Sequence, residues 1–146
     1  MIVVKSPQTK EEFKKYYELR YVVLRKNLGQ PRGSEKDDYE PISHHYVAVD
    51  EDTGEIVGAI KFFEREPGVA QFSHIAVSEK HQRKGIGKLL VTAVEEHARE
   101  LGYHTIGSIT RVTAAEFYTK CGYVVKGYST PLFERVPTFW VEKPLE

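Results

Sequence analysis

The run from Gln71 to Leu101 constrains the fold more than any other part of the chain. It reads Gln71-Phe-Ser-His-Ile-Ala-Val77, Ser78-Glu-Lys-His81, Gln82-Arg-Lys-Gly-Ile-Gly87, then a helical pattern from Lys88. Ile75 and Val77 are β-branched, which suits a pleated strand. Leu89, Leu90, Ala93, Val94, His97, Ala98 and Leu101 recur at helical spacing. A strand that feeds a glycine-bearing helix start makes a phosphate site, because the first helical amides have no internal partner and the helix dipole favours negative charge there. Gly85 and Gly87 remove the side chains that would hold a phosphate away from those amides. Arg83, Lys84 and Lys88 add positive charge at the same mouth.

Spacing selects among phosphate loops. A nucleoside-triphosphate loop needs G-x-x-x-x-G-K-[ST]. Here Gln82 stands at the first glycine and Leu89 at the magnesium-ligating hydroxyl, which argues against nucleotide hydrolysis. A dinucleotide loop needs G-x-G-x-x-G, but Gly85-Ile86-Gly87 is followed by Leu90. Gln82-x-x-Gly85-x-Gly87 directly after an Ile-Ala-Val strand resembles the acyl-CoA signature of the GNAT superfamily, the Gcn5-related N-acetyltransferases.

The remaining chain fits one small α/β domain over 1–146. Lys plus Arg and Asp plus Glu number 21 each, so the net charge is zero and nothing in it calls for nucleic acid or an anionic membrane. A lone cysteine, Cys121, forms no internal disulfide and fits a reducing, cytoplasmic compartment. No apolar run has the length of a membrane span. His44 and His45 have no third ligand at suitable spacing, so no metal is expected.

In order, Met1–Lys5 reads as a strand. Thr9 and Glu12 have capping-box spacing before a helix carrying Phe13, Tyr16, Tyr17, Leu19, Arg20, Val23 and Leu24. The polar segment from Asn27 to Ser43 is expected to hold a second short helix around Ser34–Tyr39. Its Glu35, Asp37, Asp38 and Glu40 read either as a solvated face or as a selector of cationic acceptors. Strands follow over 45–50, 55–64 and 69–77, the first pair joined by a hairpin turn at Asp50–Gly54. Gly102 suits a left-handed cap after the long helix. A strand over 103–109, a helix over 112–120 and strands over 123–128 and 136–142 complete the order.

That order resembles the GNAT fold: a mixed, mostly antiparallel sheet of six to seven strands, splayed between strands 4 and 5 and flanked by helices. Ala114, Phe117-Tyr118-Thr-Lys120 and Gly122-Tyr123 resemble the family's A-x-x-F-Y-x-K-x-G-F element, with Arg111 where the family usually has Asn.

The resemblance implies acetyl-CoA as acyl donor and an amine-bearing small molecule or peptide as acceptor, and it is compatible with a homodimer. It places pantetheine and the developing oxyanion on backbone amides of Ile75, Ala76 and Val77. The pyrophosphate falls on Gln82, Arg83, Lys84, Gly85, Ile86, Gly87 and Lys88, with further cofactor contacts from Arg111, Ala114 and Phe117. Tyr118 matches the family's general-acid tyrosine, and Phe117 reads as core. Some members carry a carboxylate base where this chain has Gln71, which cannot act as one. His74 titrates in the right range, although alternation sets it on the face opposite Gln71, Ser73 and Ile75. Glu64 and a chain of waters are the other candidates. A CoA-holding module without turnover is the alternative function.

Overall fold

The computed structural model describes all 146 residues, Met1–Glu146. Its strands are β1 (Ile2–Lys5), β2 (His44–Asp50), β3 (Glu55–Glu66), β4 (Val69–Val77), β5 (Thr105–Arg111), β6 (Val124–Leu132) and β7 (Val136–Pro144). Its helices are α1 (Lys10–Leu24), α2 (Ile86–Glu100) and α3 (Ala115–Lys120). The strands hydrogen-bond in the order β1-β2-β3-β4-β5-β7-β6. β4 runs parallel to β5 over Val69–Gln71 and Thr105–Gly107, and the register goes no further. This is the α/β architecture the resemblance implied.

The chain divides into two compact units, 1–63 with 74–94 and 64–73 with 95–146. In the first, β1 and β3 both pair antiparallel with β2. The Thr9 and Glu12 capping box forms at the start of α1. Tyr16, Val47, Ala59 and Ala76 make a core packed by Phe13, Leu19, Val23 and Ile56. Gly58 admits the start of α2 to the sheet: a Cβ there would stand 3.0 Å from Leu90 and 3.2 Å from Ile86.

In the second unit, β7 lies antiparallel to both β5 and β6. Phe72, Ile106, Tyr118, Tyr123 and Val141 are buried. Both helix ends in this unit close the same way. Gly102 (φ 92) donates to the Arg99 carbonyl and Tyr103 to that of Ala98. Gly122 (φ 95) donates to Thr119 and Tyr123 to Tyr118. Glycine is favoured at both turns because L side chains rarely adopt that φ.

Two expected helices differ. Residues 34–39 are not helical; the segment has 3-10 turns at Lys26–Leu28 and Glu40–Ile42 instead. Its polar side chains bond local backbone, Ser34 to the Pro31 carbonyl and Asp37 to the Tyr39 amide, in competition with a helix. The expected 112–120 helix opens as a 3-10 turn over Val112–Ala114, and only Ala115–Lys120 is α-helical.

Candidate active site

The glycine loop is shaped by two residues in the left-handed region, Arg83 (φ 63) and Gly85 (φ 81). A Cβ on Gly85 would meet nothing within 4 Å, so its φ rather than crowding calls for glycine. The Gly85 carbonyl accepts from Leu89, the first bond of α2. The amides of Ile86, Gly87 and Lys88 therefore head the helix with no partner inside it. Ile86 is buried as the anchor, whereas Gln82, Arg83, Lys84 and Lys88 are exposed around the mouth. Gln82 donates its Nε2 to the Val77 carbonyl at 3.0 Å, tying the loop to the end of β4. The seven residues expected to form the phosphate loop thus run without a break into the head of α2, with Ile86 as their one buried member.

Three residues upstream of Val77, β4 bends. His74 has φ 55, a conformation rare outside glycine but less so for histidine. Regular alternation therefore does not carry through this position. The side chain is 9% exposed, with Nε2 3.4 Å from an Arg25 guanidinium nitrogen and Nδ1 3.9 Å from Asp37. Burial, then the charges of Arg20, Lys61 and Arg25, push its pKa down to about 2. His74 is a neutral imidazole at physiological pH and a poor proton acceptor. Glu64 is exposed near Tyr103.

The acidic residues of the 27–43 segment are mostly spoken for. Glu40 receives both terminal nitrogens of Arg20, at 2.9 and 2.8 Å, and Arg20 also reaches the Glu35 carbonyl. Burial alone would raise the Glu40 pKa, but hydrogen bonding to Arg20 and its charge outweigh it and hold the carboxyl at about 2. Asp37 pairs with Lys61 at 2.8 Å, and both Lys61 and Arg20 are fully buried. Of the two alternatives for these acids, neither a solvated face nor a free cation selector describes Asp37 and Glu40. His45 belongs to the same network, with Nδ1 2.8 Å from the Tyr16 hydroxyl and Nε2 2.9 Å from the Glu40 carbonyl oxygen.

In the second unit, Tyr118 is buried and bonds with Thr110; burial pushes its phenol well above the usual range. Its ring packs on Phe72 at 5.6 Å and edge-on to Tyr123 at 6.2 Å. Tyr123 donates to Glu95 at 2.7 Å, and the Lys143 ammonium bridges Glu95 and the carbonyl of Cys121, the residue that caps the C-terminus of α3. Phe117 is 37% exposed and not a core residue, because α3 turns Ala115 and Tyr118 inward in its place. Ala114 is exposed and Arg111 half-buried.

The family model described as the acetyltransferase (GNAT) family matches residues 8–123. The chain belongs to the GNAT family of acetyltransferases. Its curated relatives include an uncharacterized N-acetyltransferase of Bacillus subtilis, YvbK, 31% identical over 111 residues, or 74% of this chain and 70% of that protein. Similar solved structures include an IAA acetyltransferase from Bacillus cereus, with TM-score 0.81 at 22% identity over 99% of this chain and 100% of that one. An acetyltransferase of Bacillus subtilis in complex with CoA has TM-score 0.80 at 22% identity, covering 100% of both chains. At these identities the structural likeness speaks for the GNAT fold. No helix of this GNAT protein is long and apolar enough to cross a membrane.

Several residues that shape the site left little sequence signal. Lys61 sits among Ala59, Ile60, Phe62 and Phe63, and a lysine in so apolar a strand is the one visible hint of a buried pair. Arg25, Glu95 and Lys143 lie in patterns that read as ordinary surface.

Proposed function

We propose that this GNAT protein moves an acetyl group from acetyl-CoA to a primary amine by direct attack in a ternary complex. The observation that carries the reading is the open cradle of amides at Ile86, Gly87 and Lys88, ringed by Arg83, Lys84 and Lys88 and joined through Gln82 to Val77. Free amides at a helix start suit a diphosphate, and the joined strand suits the pantetheine arm behind it.

In this reading the backbone amides of Ile75–Val77 hold the oxygen of the thioester as it gains negative charge, the role that preorganised donors perform best. The amine nitrogen forms the new bond to the carbonyl carbon and the carbon–sulfur bond breaks. Tyr118 is the proposed hydrogen-bond donor to the departing sulfur. Burial makes its phenol a weaker acid, so its contribution is a donated hydrogen bond with solvent completing protonation. His74, neutral and enclosed, is assigned the kink in β4 and not the amine's proton, which leaves to water; proximity supplies much of the rate. Arg111 stands near the element that carries Tyr118 and adds a cation for the CoA phosphates.

The test is free-thiol release from acetyl-CoA, with and without a panel of primary amines, beside calorimetric CoA binding. Amine-dependent release is expected. Tight CoA binding with no release for any amine would replace the transferase with a CoA-holding module, and no CoA binding would reject both.

A further inference from the structure

A cationic shelf in the second unit has no part in the chemistry above. Arg65, at the end of β3, is exposed. Its guanidinium carbon lies 4.2 Å from the centre of the Trp140 ring on β7, and its Nη1 donates to the Gln71 side-chain oxygen on β4 at 2.7 Å. One partner is an indole and the other a neutral amide, so neither balances the positive charge. The shelf is built and not incidental. A Cβ at Gly107 on β5 would overlap the Trp140 ring and stand 2.6 Å from the Val141 carbonyl, so glycine there admits the indole. Trp140 Nε1 in turn donates to Glu142 at 2.9 Å, which fixes the ring and engages that carboxylate. Gln71 is 9% exposed, so the guanidinium is held from below.

A planar guanidinium, pinned on an aromatic face with part of its donor fork outward, is suited to bind a carboxylate in two-pronged fashion. The contrast with the first unit is chemical. There the carboxylates of Asp37 and Glu40, which would suit a polycation, are taken up by Lys61 and Arg20. Gln71 also lies on β4, whose far end supplies Ile75–Val77.

We propose that Arg65, seated on Trp140 and Gln71, binds an anionic group on the acceptor, so that the preferred substrates are amines bearing a carboxylate, the amino-acid class. This inference rests on the transferase reading above.

Paired acceptors that differ only in the carboxylate test it: L-phenylalanine against phenethylamine, and L-tryptophan against tryptamine. The expected kcat/KM ratio favours the carboxylated member. In Arg65→Gln that preference falls roughly 10- to 100-fold, the worth of hydrogen bonds to a charged group. Arg65→Lys restores part of it, and unchanged acetyl-CoA affinity certifies the folded variants. A wild-type preference for the decarboxylated amines, or for spermidine, overturns the proposal, as does an unaltered ratio in Arg65→Gln. Trp140 is the sole tryptophan, so its fluorescence gives a readout without turnover. If no amine is acetylated, quenching by N-acetyl-L-phenylalanine that disappears in Arg65→Gln would uphold the anion site while the transferase reading fell. Equal quenching in both proteins, or none, would overturn the site itself.

Discussion

The Lys61 ammonium lies 2.8 Å from an Asp37 carboxylate oxygen with none of its side chain exposed. Its remaining surroundings are Glu40 at 3.6 Å, the Ser43 hydroxyl, and the rings of Phe63 and Tyr39, which stack on each other at 4.3 Å. A buried ion is tolerable only when its partners are in place. Lys61→Ala is therefore expected to cost about 3 kcal/mol, measured by urea unfolding. Lys61→Met with Asp37→Asn should cost less than the sum of the single changes, because the pair is then removed as a unit.

Acid should destabilise the fold well above the usual carboxylate range. His74 titrates at about 2 when folded, against 6.5 for the ordinary side chain, and Glu40 at about 2 against 4.5. Between each pair of values the unfolded chain binds the proton and the folded one does not, so stability rises with pH there. The His74 contribution is complete above about pH 6.5 and is lost as pH falls toward 2; that of Glu40 is lost from about pH 4.5 downward. Urea unfolding at fixed ionic strength should give up to about 2 kcal/mol less stability at pH 5 than at pH 7. Because Arg20, Arg25, Lys61, Asp37 and Glu40 remain around the site, His74→Asn should flatten the slope between pH 7 and 5, where His45, also pushed down by burial, keeps a part, and should make the fall below pH 5 shallower, with Glu40 still contributing. Asparagine also accepts the positive φ.

Gly107→Ala should lower stability by about 1–3 kcal/mol, since the new methyl meets the Trp140 ring and the backbone of Val141. A shift in the emission of the single tryptophan, alongside a lower thermal midpoint, checks this. Unchanged emission would mean that the ring does not rest on β5.

Gly87→Glu puts a carboxylate among the amides that head α2 and should abolish acetyl-CoA binding in calorimetry. Near-normal affinity would reject the loop as the diphosphate site. Gly85→Ala has room for its methyl but not its φ, so its cost should be strain of about 1–2 kcal/mol, with weakened donor binding.

Tyr118→Phe should reduce kcat by roughly a hundredfold, the worth of one preorganised donor to developing charge, with acetyl-CoA affinity little changed, as expected when an interaction is made mainly in the transition state. Equal turnover in the two proteins would leave the phenol a packing group held by Thr110.

What the sequence made legible follows from how locally each feature is encoded. The strand, loop and α2 obey a period and a spacing within one window, and the capping box and the glycine caps each need only a few neighbours. The 34–39 segment misled because Ser34 and Asp37 satisfy nearby backbone in ways that compete with a helix. The Arg20–Glu40 and Lys61–Asp37 pairs join residues 20 and 24 positions apart, so charge patterning alone reads them as solvated. The kink at His74 was hidden for another reason: alternation presumes regular strand dihedrals, and one positive φ removes that premise. Arg65 and Trp140 meet only because β3 and β7 are brought near by pairings that no local pattern announces.

The hydrogen bond from Gln82 to the Val77 carbonyl makes one side chain answerable to two tasks. A change that reshapes the turn proposed to hold the donor's diphosphate is transmitted to the strand end proposed to lie beside its reactive carbon. On the proposed reading, donor grip and carbonyl activation are thus yoked and resist being altered separately, whereas acceptor preference, assigned to other side chains, is left free to diverge among descendants of this sequence.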